Sequence, residues 1–180
     1  NGLSSLMYYL DIFVLGIVVV NENVIAAYKV ATTIPTALEF IPASVVTYVY
    51  PYFSRNKDNK QWLLLNYKRL VLSLGGVNLL ITVALYILAP FLINLLFGRP
   101  YIDAVSPFRI LVVSYFFAGT FRTISGNLLV TQRKLKFNTF VAVFSSAMNT
   151  VMNVFFINKW QSNGAAAATL TTAIMTGILN

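Results

Sequence analysis

Long apolar runs separated by short polar or basic stretches set the pattern of this chain. Six runs stand out, at about residues 3–20 (A), 24–53 (B), 70–97 (C), 106–129 (D), 137–157 (E) and 164–180 (F). An α-helix needs about 20 mostly apolar residues to cross a bilayer, and all but the shortest of these runs reach that length. None alternates with the two-residue period of a strand, and a membrane barrel would require that alternation and closure. The pattern predicts an all-α, polytopic membrane helix bundle with six transmembrane helices.

Composition agrees. The chain is 58% hydrophobic and 10% charged, with a mean hydropathy of +0.74, whereas soluble domains run near 45–50% apolar and about 25% charged. Its 13 Lys and Arg exceed its 5 Asp and Glu. In a soluble protein that excess suggests nucleic acid. Here the charges sit between apolar runs, so topology explains them and no nucleic-acid partner is expected. With neither cysteine nor histidine, the chain has no disulfide, no His-based catalytic triad and no expected metal site. It does not begin with Met and stops within an apolar run, "TGILN". It therefore reads as a fragment, incomplete at both ends.

The basic residues orient the segments. Arg55, Lys57, Lys60, Lys68 and Arg69 fall in the B–C loop, and Arg133, Lys134 and Lys136 in the D–E loop. Two spans separate these loops, so they share a side. The opposite loops offer only Arg99 and Lys159, with Lys29 just inside B. The positive-inside rule places loops 54–69 and 130–136 in the cytoplasm. A, C and E then run outward, and B, D and F inward.

Polar residues inside the spans are the candidate chemistry. In B, Lys29, Thr32, Thr36, Glu39, Ala43, Thr47 and Tyr50 recur at steps of three or four and share an arc of about 80° on one helix. Val30, Ile34, Leu38, Ile41, Val45 and Val49 take the other face. Two readings follow: a helix interface joined by polar side chains, or the wall of a water- or substrate-filled lumen. Glu39, near mid-span, favours the lumen, because intramembrane acids face bundle interiors or aqueous paths. Pro35 and Pro42 allow the span to bend.

E carries a weaker stripe, Asn138, Ser145, Asn149 and Asn153, and C carries Asn78, Thr82 and Tyr86. Interhelical hydrogen bonding suits these as well as a cavity does. Asp11 lies near the middle of A, close in angle to Ser4 and Tyr8; its plain alternative is a structural ion pair. In D, Arg109 sits in the first turn and can snorkel to the outer interface. Arg122 lies roughly 7 Å past the centre of D, at about 1.5 Å per residue. Its side chain leans back toward mid-bilayer, which predicts an internal partner or an anionic ligand. The two arginines differ by about 220° on a regular helix and need not serve one site. The opening of F, "NGAAAATLTTAI", is a close-packing signal.

Several stretches in order carry a resemblance: "DIFVLG", "NVIAAYKVATTIP", "YVYPYFSR", "LFGRPYIDAVSPFRIL", "GNLLVTQRKLKFNT" and "NGAAAATLTTAI". Together they resemble the polysaccharide transporter (O-antigen flippase) family, within the superfamily of multidrug exporters and lipid-linked oligosaccharide flippases. Ala27 stands where that family usually has Gly. The resemblance implies that the chain is part of the C-terminal lobe of a two-lobe, 12- to 14-helix transporter of the bacterial cytoplasmic (inner) membrane. The implied activity is translocation of undecaprenyl-pyrophosphate-linked repeat units for O-antigen or capsular polysaccharide. Such a protein is no enzyme and carries no cofactor, though its cycle implies a coupling ion, H+ or Na+. Its implied partners are a lipid-linked oligosaccharide, membrane lipids and the missing N-terminal lobe.

Under this reading, Arg122, Arg109, Lys29, Thr36, Thr47, Asn149 and Asn153 are substrate-lumen candidates, and Asp11 and Glu39 are ion-coupling candidates. The alternatives are a multidrug (organic-cation) exporter of the same superfamily and, from another class, a membrane-embedded polysaccharide polymerase or ligase.

Overall fold

The computed structural model describes residues 2–19 and 21–180, with side chains from Tyr9 onward. Ser4 and Tyr8, grouped with Asp11 above, lie outside the described side chains. Among the described residues all regular structure is helical. The elements are α1 (Gly2–Val18), α2 (Glu22–Leu38), α3 (Phe40–Arg55), α4 (Lys60–Phe97), α5 (Val105–Phe117), α6 (Thr123–Thr131) and α7 (Leu135–Leu179). A 3-10 turn, Arg99–Ala104, leads into α5, and a π-helical turn, Ala118–Arg122, joins α5 to α6.

Four continuous stretches are long and apolar enough to cross a membrane: Glu22–Arg55, Lys60–Phe97, Arg99–Thr131 and Leu135–Leu179. α1 is a shorter apolar helix. The surface supports the same reading. Along α4, Leu72 is 76% and Leu80 73% exposed, and Phe91 and Leu95 are exposed as well. Its buried line is Leu74, Asn78, Thr82, Ala89 and Ile93. A helix that is apolar outward and partly polar inward inverts the soluble pattern and suits a lipid surround.

α7 is two helices. Continuous, its 45 residues would run nearly 70 Å at about 1.5 Å per residue, more than twice the hydrocarbon thickness. Gln161 breaks it, with φ 48° and ψ −124°. A Cβ built on Gly164 would collide with the carbonyl of Phe156, which in an unbroken helix lies about 12 Å away. The chain therefore reverses, and the first arm (135–160) and second arm (162–179) form a hairpin. This separates E from F where the sequence placed their boundary.

Several expected boundaries move. α4 begins at Lys60, about ten residues before segment C, because the Asn59 side chain accepts a hydrogen bond from the Trp62 amide (3.0 Å) and caps the helix. The B–C connection is therefore 56–59 rather than 54–69. The D–E connection shortens likewise, to 132–134 instead of 130–136. Segment B is a kinked span. Pro42 removes the donor that would reach the Leu38 carbonyl, and the chain breaks beside that carbonyl, at Glu39. Segment D is not regular either. In its π turn the Thr123 amide and hydroxyl both donate to the Ala118 carbonyl, five residues back. The 220° angle between Arg109 and Arg122 assumed an uninterrupted α-helix and does not hold.

α5 is central and packs on α7, α4 and α2. Phe108, Leu111, Val112 and Tyr115 are fully buried there, with Tyr28, Leu15, Ile93 and Ile157 from neighbouring helices. A smaller core joins Val46, Leu74 and Ile124. Loops alternate between the two ends. The turns near residues 21, 103 and 161 line one cavity. The far ends of α3 and α6 meet α4 around Phe53, Leu70 and Thr131.

The hairpin yields a stability test. Gly164→Ala should lower stability by roughly 1–3 kcal/mol, because backbone is what the methyl meets. Gln161→Gly should raise it by about 1 kcal/mol by relieving a left-handed φ. Apparent melting temperatures of the full-length protein in detergent check both signs.

Candidate functional site

Asp11 is fully buried. It lies on α1, one face of which packs on the α7 hairpin. Its carboxylate accepts hydrogen bonds from three other helical arms: Tyr28 Oη of α2 (3.2 Å), Asn153 Nδ2 of the first arm (2.5 Å) and Thr169 Oγ1 of the second (2.5 Å). Asn153 Nδ2 also donates to Asn149 Oδ1 at 3.0 Å, one turn earlier. The small residues Gly164, Ala165, Ala166 and Ala168 are buried. They let the second arm come close enough for Thr169 to reach Asp11. The partners are neutral, so the expected alternative of an ion pair at Asp11 gives way to an uncharged oxygen- and amide-rich shell. Asn149 Nδ2, Asn153 Oδ1 and Ser145 Oγ are buried without a partner. A carboxylate enclosed this way is costly unless a proton or cation neutralises it.

A second polar knot joins the kinked spans. Arg122 Nη2 lies 3.5 Å from Glu39 Oε1, with the side chains 20% and 22% exposed. The π turn and the Pro42 kink bring them together. Gly119 sits against Pro42 and Asn78, and a Cβ there would be 3.1 Å from each, so the helices approach closely at this glycine. Asn78 accepts from Tyr115 Oη (2.9 Å) and donates to Thr120 Oγ1 (3.1 Å). Thr82 donates to the Val112 carbonyl at 3.5 Å. The stripe on C is thus partly interhelical hydrogen bonding.

The remaining candidates are dispersed. Lys29 and Thr47 are exposed and Thr36 half-buried on α2 and α3. The two threonine hydroxyls donate to carbonyls of their own helix, Thr36 to Thr32 and Thr47 to Ala43, each at 2.8 Å. Asn149 and Asn153, 1% and 0% exposed, belong to the Asp11 shell and stand apart from any open wall. Arg109 lies at the loop-rich end, where its Nε donates to the Tyr86 carbonyl (3.1 Å) and its guanidinium sits 5.1 Å from the Tyr86 ring centre. The sequence had not singled out Tyr28 or Thr169. The available signal was Asp11 itself, since a mid-helix acid needs polar partners on facing helices.

Residues 1–106 match the profile of the polysaccharide biosynthesis protein family. The chain belongs to this family. No curated protein and no solved structure matched the chain. Membership in the polysaccharide biosynthesis family together with the apolar helices identifies a multi-pass membrane protein with a polysaccharide-related function. The matched region contains Asp11, Tyr28 and Glu39; Arg122, Asn153 and Thr169 lie beyond it.

Arg122→Gln should remove the charge contact to Glu39. Losing one partner costs 3–5 kcal/mol when a pair is buried and about 1 kcal/mol or less when exposed; this partly exposed pair falls between. Arg122→Gln with Glu39→Gln together should restore membrane abundance toward wild type. Equal abundance in the single and double variants would remove the pair as a structural element.

Proposed function

We propose that this chain is part of a flippase carrying undecaprenyl-pyrophosphate-linked oligosaccharide repeat units across a bacterial cytoplasmic membrane, for O-antigen or capsular polysaccharide. In this reading the chain is most of the second lobe of a two-lobe transporter, working with an N-terminal lobe. All six helical rods cross the membrane, with 56–59 and 132–134 on the cytoplasmic side.

The observation that carries the proposal is Asp11, an ionisable group enclosed by neutral side chains from three other helical arms. Intramembrane acids of this kind mark ion pathways. Asp11 takes the coupling role, with H+ or Na+ as the ion. The oxygens of Thr169, Tyr28, Asn149 and Asn153 suit a hard cation, which favours oxygen ligands. Amide orientation is an assignment, and turning the Asn153 amide would present its oxygen to a cation held by Asp11. Because Asp11 binds both arms of α7, loading or emptying it changes how α1 sits against the hairpin. That is the differential contact a two-state transporter needs.

Glu39 and Arg122 hold the kinked spans in one state. Their separation frees the Arg122 guanidinium for the substrate's pyrophosphate, which an arginine fork suits. Lys29, Thr36 and Thr47, on the open face of α2 and α3, line the lumen. No catalytic step is assigned: the work is binding, reorientation and release.

The test uses cells lacking the gene and complemented with the full-length protein. Asp11→Asn should remove surface polysaccharide while leaving the protein at near-normal membrane levels. The lipid-linked repeats should accumulate facing the cytoplasm, shielded from impermeant glycan-modifying reagents. Accumulation of single repeats on the outer face would instead indicate a polymerase. Wild-type surface glycan in Asp11→Asn would return this acid to a structural role.

A further inference from the structure

At the end of the bundle assigned outward, three turns meet over α4 and α5. They supply Asn21, Asp103, Trp160 and Asn163, which line a cavity of about 1120 Å³ together with Tyr86 and Arg109. The space exceeds the usual ~300–1,000 Å³ of a small-molecule site, so it holds more than a lone ion. We propose that this cavity binds uncharged sugar rings, receiving the glycan of the substrate and not its pyrophosphate. The proposal rests on the translocation reading above and adds a substrate-recognising site to it.

Trp160 and two amide side chains point to a sugar. Trp160 is 56% exposed, and its ring is steadied against Phe156 at 5.4 Å. It offers a broad, rigid apolar face of the kind the C–H face of a pyranose covers, with an indole N–H at its edge. Asn163 lies on the cavity wall, and its buried Oδ1 accepts no hydrogen bond within the protein. Asn163 carries donors and an acceptor, and Asn21 keeps its amide donors while its Oδ1 accepts from the Asn23 amide (3.0 Å); such groups match hydroxyls that both donate and accept.

Charge decides against an anion. Arg109 is pinned by the Tyr86 carbonyl and ring, and Asp103 lines the same cavity. The lining thus carries one charge of each sign, and a pyrophosphate would share the cavity with a carboxylate. Trp160 at a membrane interface also suits a lipid headgroup, and the experiment separates that occupant from a sugar.

The full-length protein is purified in detergent with every tryptophan other than Trp160, Trp62 among them, replaced by Phe. Lactose, chitobiose, inorganic pyrophosphate and glycerol phosphate are then titrated separately against Trp160 emission. Lactose or chitobiose should give a saturable shift. Arg109→Gln and Asn163→Ala should each weaken it tenfold or more, and the two phosphates should give no shift. Absence of a saturable response to either saccharide overturns the proposal. So does a stronger response to pyrophosphate or glycerol phosphate, which would make the cavity an anion or headgroup site. Asp11 does not line the cavity. Export lost in Asp11→Asn beside a silent titration therefore refutes the sugar site alone. Export retained in Asp11→Asn beside a positive titration refutes the coupling reading alone.

Discussion

The Asp11 carboxylate is the constraint on which the bundle depends. Three hydrogen bonds draw α1, α2 and both arms of α7 onto one carboxylate. Asn153 and Thr169 are sixteen residues apart, about 24 Å along a continuous helix. They meet on Asp11 because the chain reverses at Gln161. The left-handed turn, the small residues of the second arm and the close seating of α1 against α7 are thus parts of one arrangement. In lipid, where apolar contact gives little net drive between helices, such polar ties help to decide which helices pair.

The middle of the bundle is made to bend. Pro42 interrupts α2–α3, and the π turn interrupts the span from Val105 to Thr131. The two defects face each other, with Gly119 against Pro42 and Arg122 near Glu39. Kinks at proline and π turns are the usual weak points of long helices. Here a 3.5 Å charge contact bridges them. The Asn78 amide, bonded to both Tyr115 and Thr120, gives the same region a fixed pivot on α4.

The helical class and the position of most segments were legible in the sequence, because lipid imposes length and apolarity on each span. Boundaries were less legible. The ten extra residues of α4 contain Lys68 and Arg69, which a hydropathy reading places in a loop although they are helical. The π turn left no mark in the pattern, since the polar residues around it follow no regular helical period that one extra residue would disturb. Among polar residues, the sequence identified Asp11, Glu39 and Arg122 but not their partners. Pairing depends on which helices touch, and an i, i+4 stripe such as Asn149 and Asn153 reads the same whether it faces a lumen or a buried carboxylate. Thr169 was hidden in a run whose small residues read as packing alone, though that packing delivers its hydroxyl to Asp11.

Tie and switch are the same group in this account, and flux in proteoliposomes tests that most directly. The full-length protein is reconstituted with lipid-linked oligosaccharide, an inward or outward H+ or Na+ gradient is imposed, and glycan reaching the far leaflet is measured for wild type and Asp11→Asn. The account expects one of the two gradients to accelerate wild-type translocation in the direction it favours, and neither to accelerate Asp11→Asn. Gradient-driven translocation of equal rate in Asp11→Asn would contradict it.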